Sequence, residues 1–131
     1  MEAKAKRPLS PHLQIYKPQI TSILSIMHRI TGVILIAGTL LMTGWLLSAA
    51  NGPEAYRNFH DFFIDCFFGK LALIGWTWAF CYHLLNGIRH LFWDLTVGLN
   101  MQAVIRSGWT VLISSVVLTG LIWCPSFQNM F

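Results

Sequence analysis

Three apolar runs without a formal charge organise this chain: Ile30 to Pro53, Leu71 to Ile88 and Ser107 to Phe131. A helix that spans a bilayer needs roughly 20 apolar residues, with ~17 the lower end. The first and third runs reach that length unaided. The second reaches it if Lys70 and Arg89, at its two ends, snorkel toward the headgroups. The pattern therefore predicts an all-α protein with three transmembrane helices over about 22–48, 67–95 and 107–124. Asn51-Gly52-Pro53 marks a turn after the first helix. Glu54 to Asp65 is polar and aromatic and reads as a short interfacial helix. Val97 to Arg106 reads as a short connection, with Gly98 as the helix stop, and Pro125 limits the third helix. Residues 1–21 form a separate N-terminal surface arm, because Pro8, Pro11 and Pro18 forbid a long helix there. Composition alone fits a featureless linker over that arm equally well. The transmembrane domain is then 22–131.

Composition strengthens the membrane reading. Of 131 residues, 55% are apolar and 11% charged, against about 25% charged in an average soluble domain. The net charge of +4 does not indicate nucleic acid, because the basic residues flank the apolar runs and form no dense patch. Their distribution instead sets an orientation. Lys4, Lys6, Arg7, Lys17, Arg29, Arg89 and Arg106 fall on one side, and Arg57 and Lys70 on the other. The positive-inside bias then places the N-terminus and the loop between the second and third helices in the cytoplasm or matrix. Trp93 and Trp109 belong to the inner aromatic belt, and Trp45 and Trp123 to the outer one. Cys66, Cys81 and Cys124 lie in or beside the apolar runs without Cys-x-x-Cys spacing, and read as inert thiols. The start of the chain shows neither a secretory signal nor the features of a transit peptide.

The polar positions inside the apolar runs carry the candidate chemistry. His83, Gly87, His90 and Asp94 fall at i, i+4, i+7 and i+11, one stripe of a helix. If Arg89 marks the inner interface, His83 lies about 9 Å deeper, at 1.5 Å rise per residue. An ionisable side chain at that depth faces the bundle interior and needs a partner. A neutral imidazole meets that need by ligating haem iron, with Gly87 clearing space for a flat macrocycle one turn away. A core histidine hydrogen-bonded to a neighbouring helix meets it too, and spacing alone does not choose between them. His12, His28, His60 and His90 all fall at or outside an interface, so either a haem iron has one protein ligand here or a second histidine comes from another subunit. Ser25, His28, Arg29 and Gly32 form a second group, with Ser25 and Arg29 on one face at i, i+4. A hydroxyl and a guanidinium there can hydrogen-bond a quinone carbonyl, and Arg29 can pair with haem propionates. Plain interfacial anchoring is the favoured reading of this group on chemistry alone. Asp94, at i+4 from His90, can orient that imidazole or cap the surface charge.

Three segments carry a family resemblance: Arg7-Pro8-Leu9-Ser10-Pro11-His12-Leu13-x-Ile15-Tyr16, Ser25-Ile26-Met27-His28-Arg29-Ile30-Thr31-Gly32, and His83-x-x-x-Gly87-Ile88-Arg89-His90-Leu91-x-Trp93-Asp94. In order, spacing and three-helix layout the chain resembles the cytochrome b556 subunits of succinate dehydrogenase, the larger membrane anchors of complex II (the SdhC family), over nearly its whole length. The resemblance implies an anchor for a flavoprotein subunit and an iron–sulfur subunit, packed with a small membrane anchor subunit around haem b, and passing electrons to ubiquinone. It implies His83 as the axial haem ligand, paired with a histidine of the small anchor subunit. Ser25 and Arg29 become quinone-site residues, His28 and His90 neighbours of the haem propionates, and the Arg7–Tyr16 arm a segment under the soluble subunits. The arm, without the features of a transit peptide, favours a bacterial inner membrane, with a mitochondrial inner membrane as the alternative. Two rivals predict different chemistry. One is a haem-free structural anchor, in which His83 is a core histidine. The other is a proton-relay fragment using His83, His90 and Asp94, for which the third helix offers no further ionisable groups.

Overall fold

The computed structural model describes residues 17–128, so the predicted surface arm lies outside the described residues as far as Tyr16. Helix α1 spans Ile20–Ala50 and α2 spans Pro53–Phe59. A single π-helical turn, His60–Ile64, follows α2, and then come α3, Phe67–Asp94, and α4, Met101–Gln128. The described residues contain no strand.

Helix α1 starts after Pro18, where Gln19 is still extended. It stops at Asn51, whose backbone N–H and side-chain Nδ2–H both donate to the Leu47 carbonyl, at 3.1 and 2.9 Å. Gly52, at φ +108°, reverses the chain in a conformation that penalises any Cβ. Pro53 then opens α2, where its missing N–H costs nothing.

The last connection differs from expectation at both ends. Helix α4 begins at Met101, not near Ser107, because the Asn100 side chain accepts the Ala103 N–H at 2.8 Å and caps the helix. It also continues through Pro125 to Gln128. A proline this near the end interrupts few ladder bonds. At the end of α3 the stop is Thr96, not Gly98. Thr96 N–H donates to the Trp93 carbonyl at 2.8 Å and Val97 N–H to the Phe92 carbonyl at 3.0 Å, the paired bonds of a Schellman closure. Thr96 sits at φ +60°, a left-handed conformation disfavoured for a β-branched residue.

The packing is inverted relative to a soluble bundle. Large apolar side chains lie outside: Val33 and Ile36 are each 68% exposed and Leu40 72%. Several of the most buried residues are polar: Thr31, Asn86, Arg89, Ser115 and Thr119. Lipid or a protein neighbour is the medium in which such a surface is stable, with small and polar residues at the helix contacts. The buried hydroxyls return their protons to their own helices; Ser115 donates to the Leu112 carbonyl and Thr119 to that of Ser115, both at 2.8 Å. All three long helices are long and apolar enough to cross a membrane, with mean hydropathy of 2.0, 1.2 and 1.6 over their most apolar windows.

Helix α3 is central and packs on both α1 and α4. Leu24, Tyr82 and Val111 form the apolar core, where the Tyr82 hydroxyl donates to the Leu24 carbonyl at 2.8 Å. That core lies toward the end of the bundle that holds Arg89. Toward the opposite, His60 end, the Trp76 indole lies directly on the Gly38 backbone, where a Cβ would overlap it. Also on that side of α3, Trp123 Nε1–H donates to Thr77 Oγ1 at 3.2 Å.

Candidate functional site

Helices α1 and α3 run antiparallel, and their meeting near the Arg89 end brings three histidines together. The His83 ring stacks on His28, with centroids 3.9 Å apart and planes 13° from parallel, and His28 lies 5.4 Å from His90. The sequence had placed His28 at the interface, shallower than His83. It is level with His83 instead, because the α1–α3 register stacks the two rings. Two rings in direct stacking leave no slot for a macrocycle between them, so His28 cannot serve as the opposite axial partner of His83.

His83 is half-buried. Its Nδ1 lies 3.1 Å from the His28 carbonyl oxygen and 3.2 Å from Thr31 Oγ1. A carbonyl only accepts, so Nδ1 carries the proton and donates. Nε2 then keeps its lone pair. This is how a protein orients a metal-binding imidazole: the far nitrogen is tied to an oxygen and the other is left free. Gly32 makes room for the ring, since a Cβ there would stand 3.2 Å from His83 Cε1. At Gly87 a Cβ would meet no atom of the chain within 4 Å, which leaves the face one turn from His83 open. His28 Nδ1 is buried and has no hydrogen-bond partner. These features fit a flat cofactor held through His83, with the second half of its site supplied by another polypeptide.

Of the remaining predicted residues, Ser25 is half-buried and Arg29 exposed. Among the described residues neither side chain is in a hydrogen bond. Asp94 is exposed, and His90 packs edge-on against Trp93 at 5.0 Å, not against that carboxylate. The expected orienting role of Asp94 is therefore absent here.

Arg89 departs most from the sequence reading. It is only 6% exposed and does not snorkel. Its Nε–H donates to Ser107 Oγ at 2.9 Å, Nη2–H to the Val104 carbonyl at 2.8 Å and Nη1–H to Asn86 Oδ1 at 3.2 Å. The guanidinium also lies over the Trp93 ring, 4.0 Å from its centroid. Tyr82, Asn86 and Arg89 thus form a polar seam on α3, distinct from the histidine stripe, that ties α3 to α4 and α1. Tyr82, Asn86 and Thr31 were overlooked in the sequence. The i, i+4, i+7 spacing of the three seam residues was the signal for it, and the stronger histidine stripe masked it.

Two concavities lie away from the histidine face. A 480 Å³ cavity lined by Ile34, Gly38, Trp45, His60 and Trp76, among others, lies toward the His60 end. A 360 Å³ groove runs beside Arg89 and Ser107. Neither contains His83, His28 or His90. A site completed by a second chain is an open face in one subunit alone, so volume is a poor guide to it. His60, Asp61 and Asp65 also cluster near the His60 end, but both carboxylates are exposed and Asp65 already pairs with Lys70 at 3.8 Å.

The family described as succinate dehydrogenase/fumarate reductase transmembrane subunit matches residues 3–122. The chain belongs to this family. It is 47% identical to the succinate dehydrogenase cytochrome b556 subunit of Rickettsia typhi over 118 residues, 90% of this chain and 91% of that one. With the subunit of the same name from Paracoccus denitrificans the identity is 43%, over 90% of each chain. With the cytochrome b560 subunit of Marchantia polymorpha it is 40%, over 88% of this chain and 87% of that one. As a member of this transmembrane-subunit family, the chain is a multi-pass membrane protein, and α1, α3 and α4 are its spans. Family members named cytochromes carry haem by that name, and the match extends through both the α1 and α3 motifs.

Proposed function

We propose that this chain is the large membrane-anchor subunit of a succinate:ubiquinone oxidoreductase, holding haem b through His83 jointly with the small anchor subunit. The observation that carries the reading is the tethering of His83 Nδ1 to the His28 carbonyl and Thr31, which leaves Nε2 as a ligand nitrogen on an open face. A bound haem supplies a one-electron store beside the quinone site. Gly87 leaves the macrocycle room, and His28, His90 and Arg29 are polar neighbours suited to its propionates. The Ser25 hydroxyl and Arg29 guanidinium donate hydrogen bonds to a ubiquinone carbonyl, where electrons from succinate arrive through the iron–sulfur subunit. The flavoprotein and iron–sulfur subunits dock on the positive side of the membrane protein, which the lysine and arginine bias assigns to the cytoplasm of a bacterial inner membrane.

The haem-free anchor is the second reading, supported by the same hydrogen bonds, since they also satisfy a core histidine. A reduced-minus-oxidised spectrum of the purified complex separates the two: a b-type band is expected, and its absence leaves only the structural anchor. For the quinone site, Arg29→Ala should lower ubiquinone reduction by about 10- to 100-fold, the weight of one hydrogen bond from a charged donor. Succinate oxidation by a soluble artificial acceptor should persist. Equal loss in both assays would place the defect in assembly.

A further inference from the structure

Thr31 enters the reading above only through its contact with His83 Nδ1, and the geometry of that contact assigns it a role of its own. We propose that Thr31 is the positioning residue of the site: its hydroxyl oxygen holds the His83 ring in one orientation and one tautomer. The proposal rests on the reading of His83 as haem ligand. Thr31 is 2% exposed, so no water competes for its oxygen. Its single hydroxyl proton is turned back into α1, toward the Met27 and His28 carbonyls, each at 2.9 Å. What the oxygen offers His83 Nδ1 at 3.2 Å is therefore a lone pair. The His28 carbonyl offers another at 3.1 Å. Two acceptors on one nitrogen require the proton to sit there. The alternative tautomer would set the Nδ1 lone pair against two oxygens in a buried contact.

The carbonyl belongs to the backbone and already serves the α1 ladder. The hydroxyl is the removable part of the pair, and its branched Cβ holds it in few rotamers. Gly32, the next residue, clears the ring's Cε1 side. Together Thr31 and Gly32 are a cradle on α1 for an imidazole on α3. An N–H···O bond at the far nitrogen also makes the ligating nitrogen a stronger electron donor. Its loss should therefore favour the reduced metal.

The test compares Thr31→Val, Thr31→Ser and His83→Leu in the assembled complex. Haem retention is followed against excess apoglobin as scavenger, alongside the haem midpoint potential and its low-spin ferric resonance signal. Thr31→Val should lose haem on the order of 10-fold faster, the lower end of effects seen when a metal ligand's hydrogen-bond partner is removed. Its midpoint potential should rise and its ferric signal broaden as the ring gains freedom. Thr31→Ser, which keeps the oxygen, should stay close to the wild type. Should Thr31→Val fail to assemble, Thr31→Ala reads the same loss without added bulk. A valine variant matching the wild type in all three measurements overturns the proposal. So does a serine variant as impaired as valine, which would mean packing alone. If His83→Leu keeps the wild-type signal, the ligand reading itself has failed, and that result is distinct from either of the others.

Discussion

Replacing His83 with leucine should abolish the low-spin b-type spectrum of the complex or convert it to a high-spin one, with the subunits still assembled. The substitution removes the free Nε2, and the branched aliphatic chain occupies a similar volume without offering a ligand atom. It strands little else. The His28 carbonyl keeps its place in the α1 ladder, and Thr31 keeps its proton on the Met27 or His28 carbonyl. Contacts between α1 and α3 persist elsewhere, through the Tyr82 bond to the Leu24 carbonyl and through Trp76 on Gly38. A folded complex with altered colour is thus the expected phenotype. An unchanged spectrum would refute the ligand assignment, since neither His28, stacked on the same ring, nor His90 beyond it can take over the same axial position.

The second large effect should come from Gly38, far from the histidines. A Cβ at Gly38 would overlap the Trp76 indole, and neither partner can give way cheaply, one being backbone and the other a rigid ring. Gly38→Ala should cost on the order of 1–3 kcal/mol, typical of an overpacked contact, read as a lower melting temperature of the purified complex. Combining it with Trp76→Leu should recover part of that loss. The recovery is limited by the cavity a smaller side chain leaves and not by a lost hydrogen bond, because Trp76 Nε1 has no acceptor to lose. A double variant no better than Gly38→Ala alone would show that this contact does not set the spacing of α1 and α3.

The spans, and a histidine set within the second of them, were legible because they follow from local rules. An uncharged apolar run of sufficient length has one stable arrangement in lipid, the helix. A histidine within such a run stands out by its cost. The cap of α4 was legible in principle as well, since Asn100 is a standard capping residue, but the first turns of α4 fall within the stretch from Val97 to Arg106 read as a connection. Thr96 was not legible. A β-branched residue at positive φ runs against propensity, and only the two backbone bonds it completes explain it.

Residue type and spacing along single segments are enough to specify the three helices, the stripe carrying His83 and Gly87, the group holding Ser25, His28 and Arg29, and the family. Tertiary structure alone decided which helices meet and at what level. It set His28 against His83, turned Thr31 into a partner of the imidazole, and made Arg89 a buried tie between α3 and α4. The reason is the same in each case. A hydrogen bond or a ring stack between two helices, whether its partners are 15 or 55 residues apart in the chain, depends on how far one helix slides along another. That offset is set by close contacts such as Gly38 on Trp76, which no periodicity within a single helix encodes.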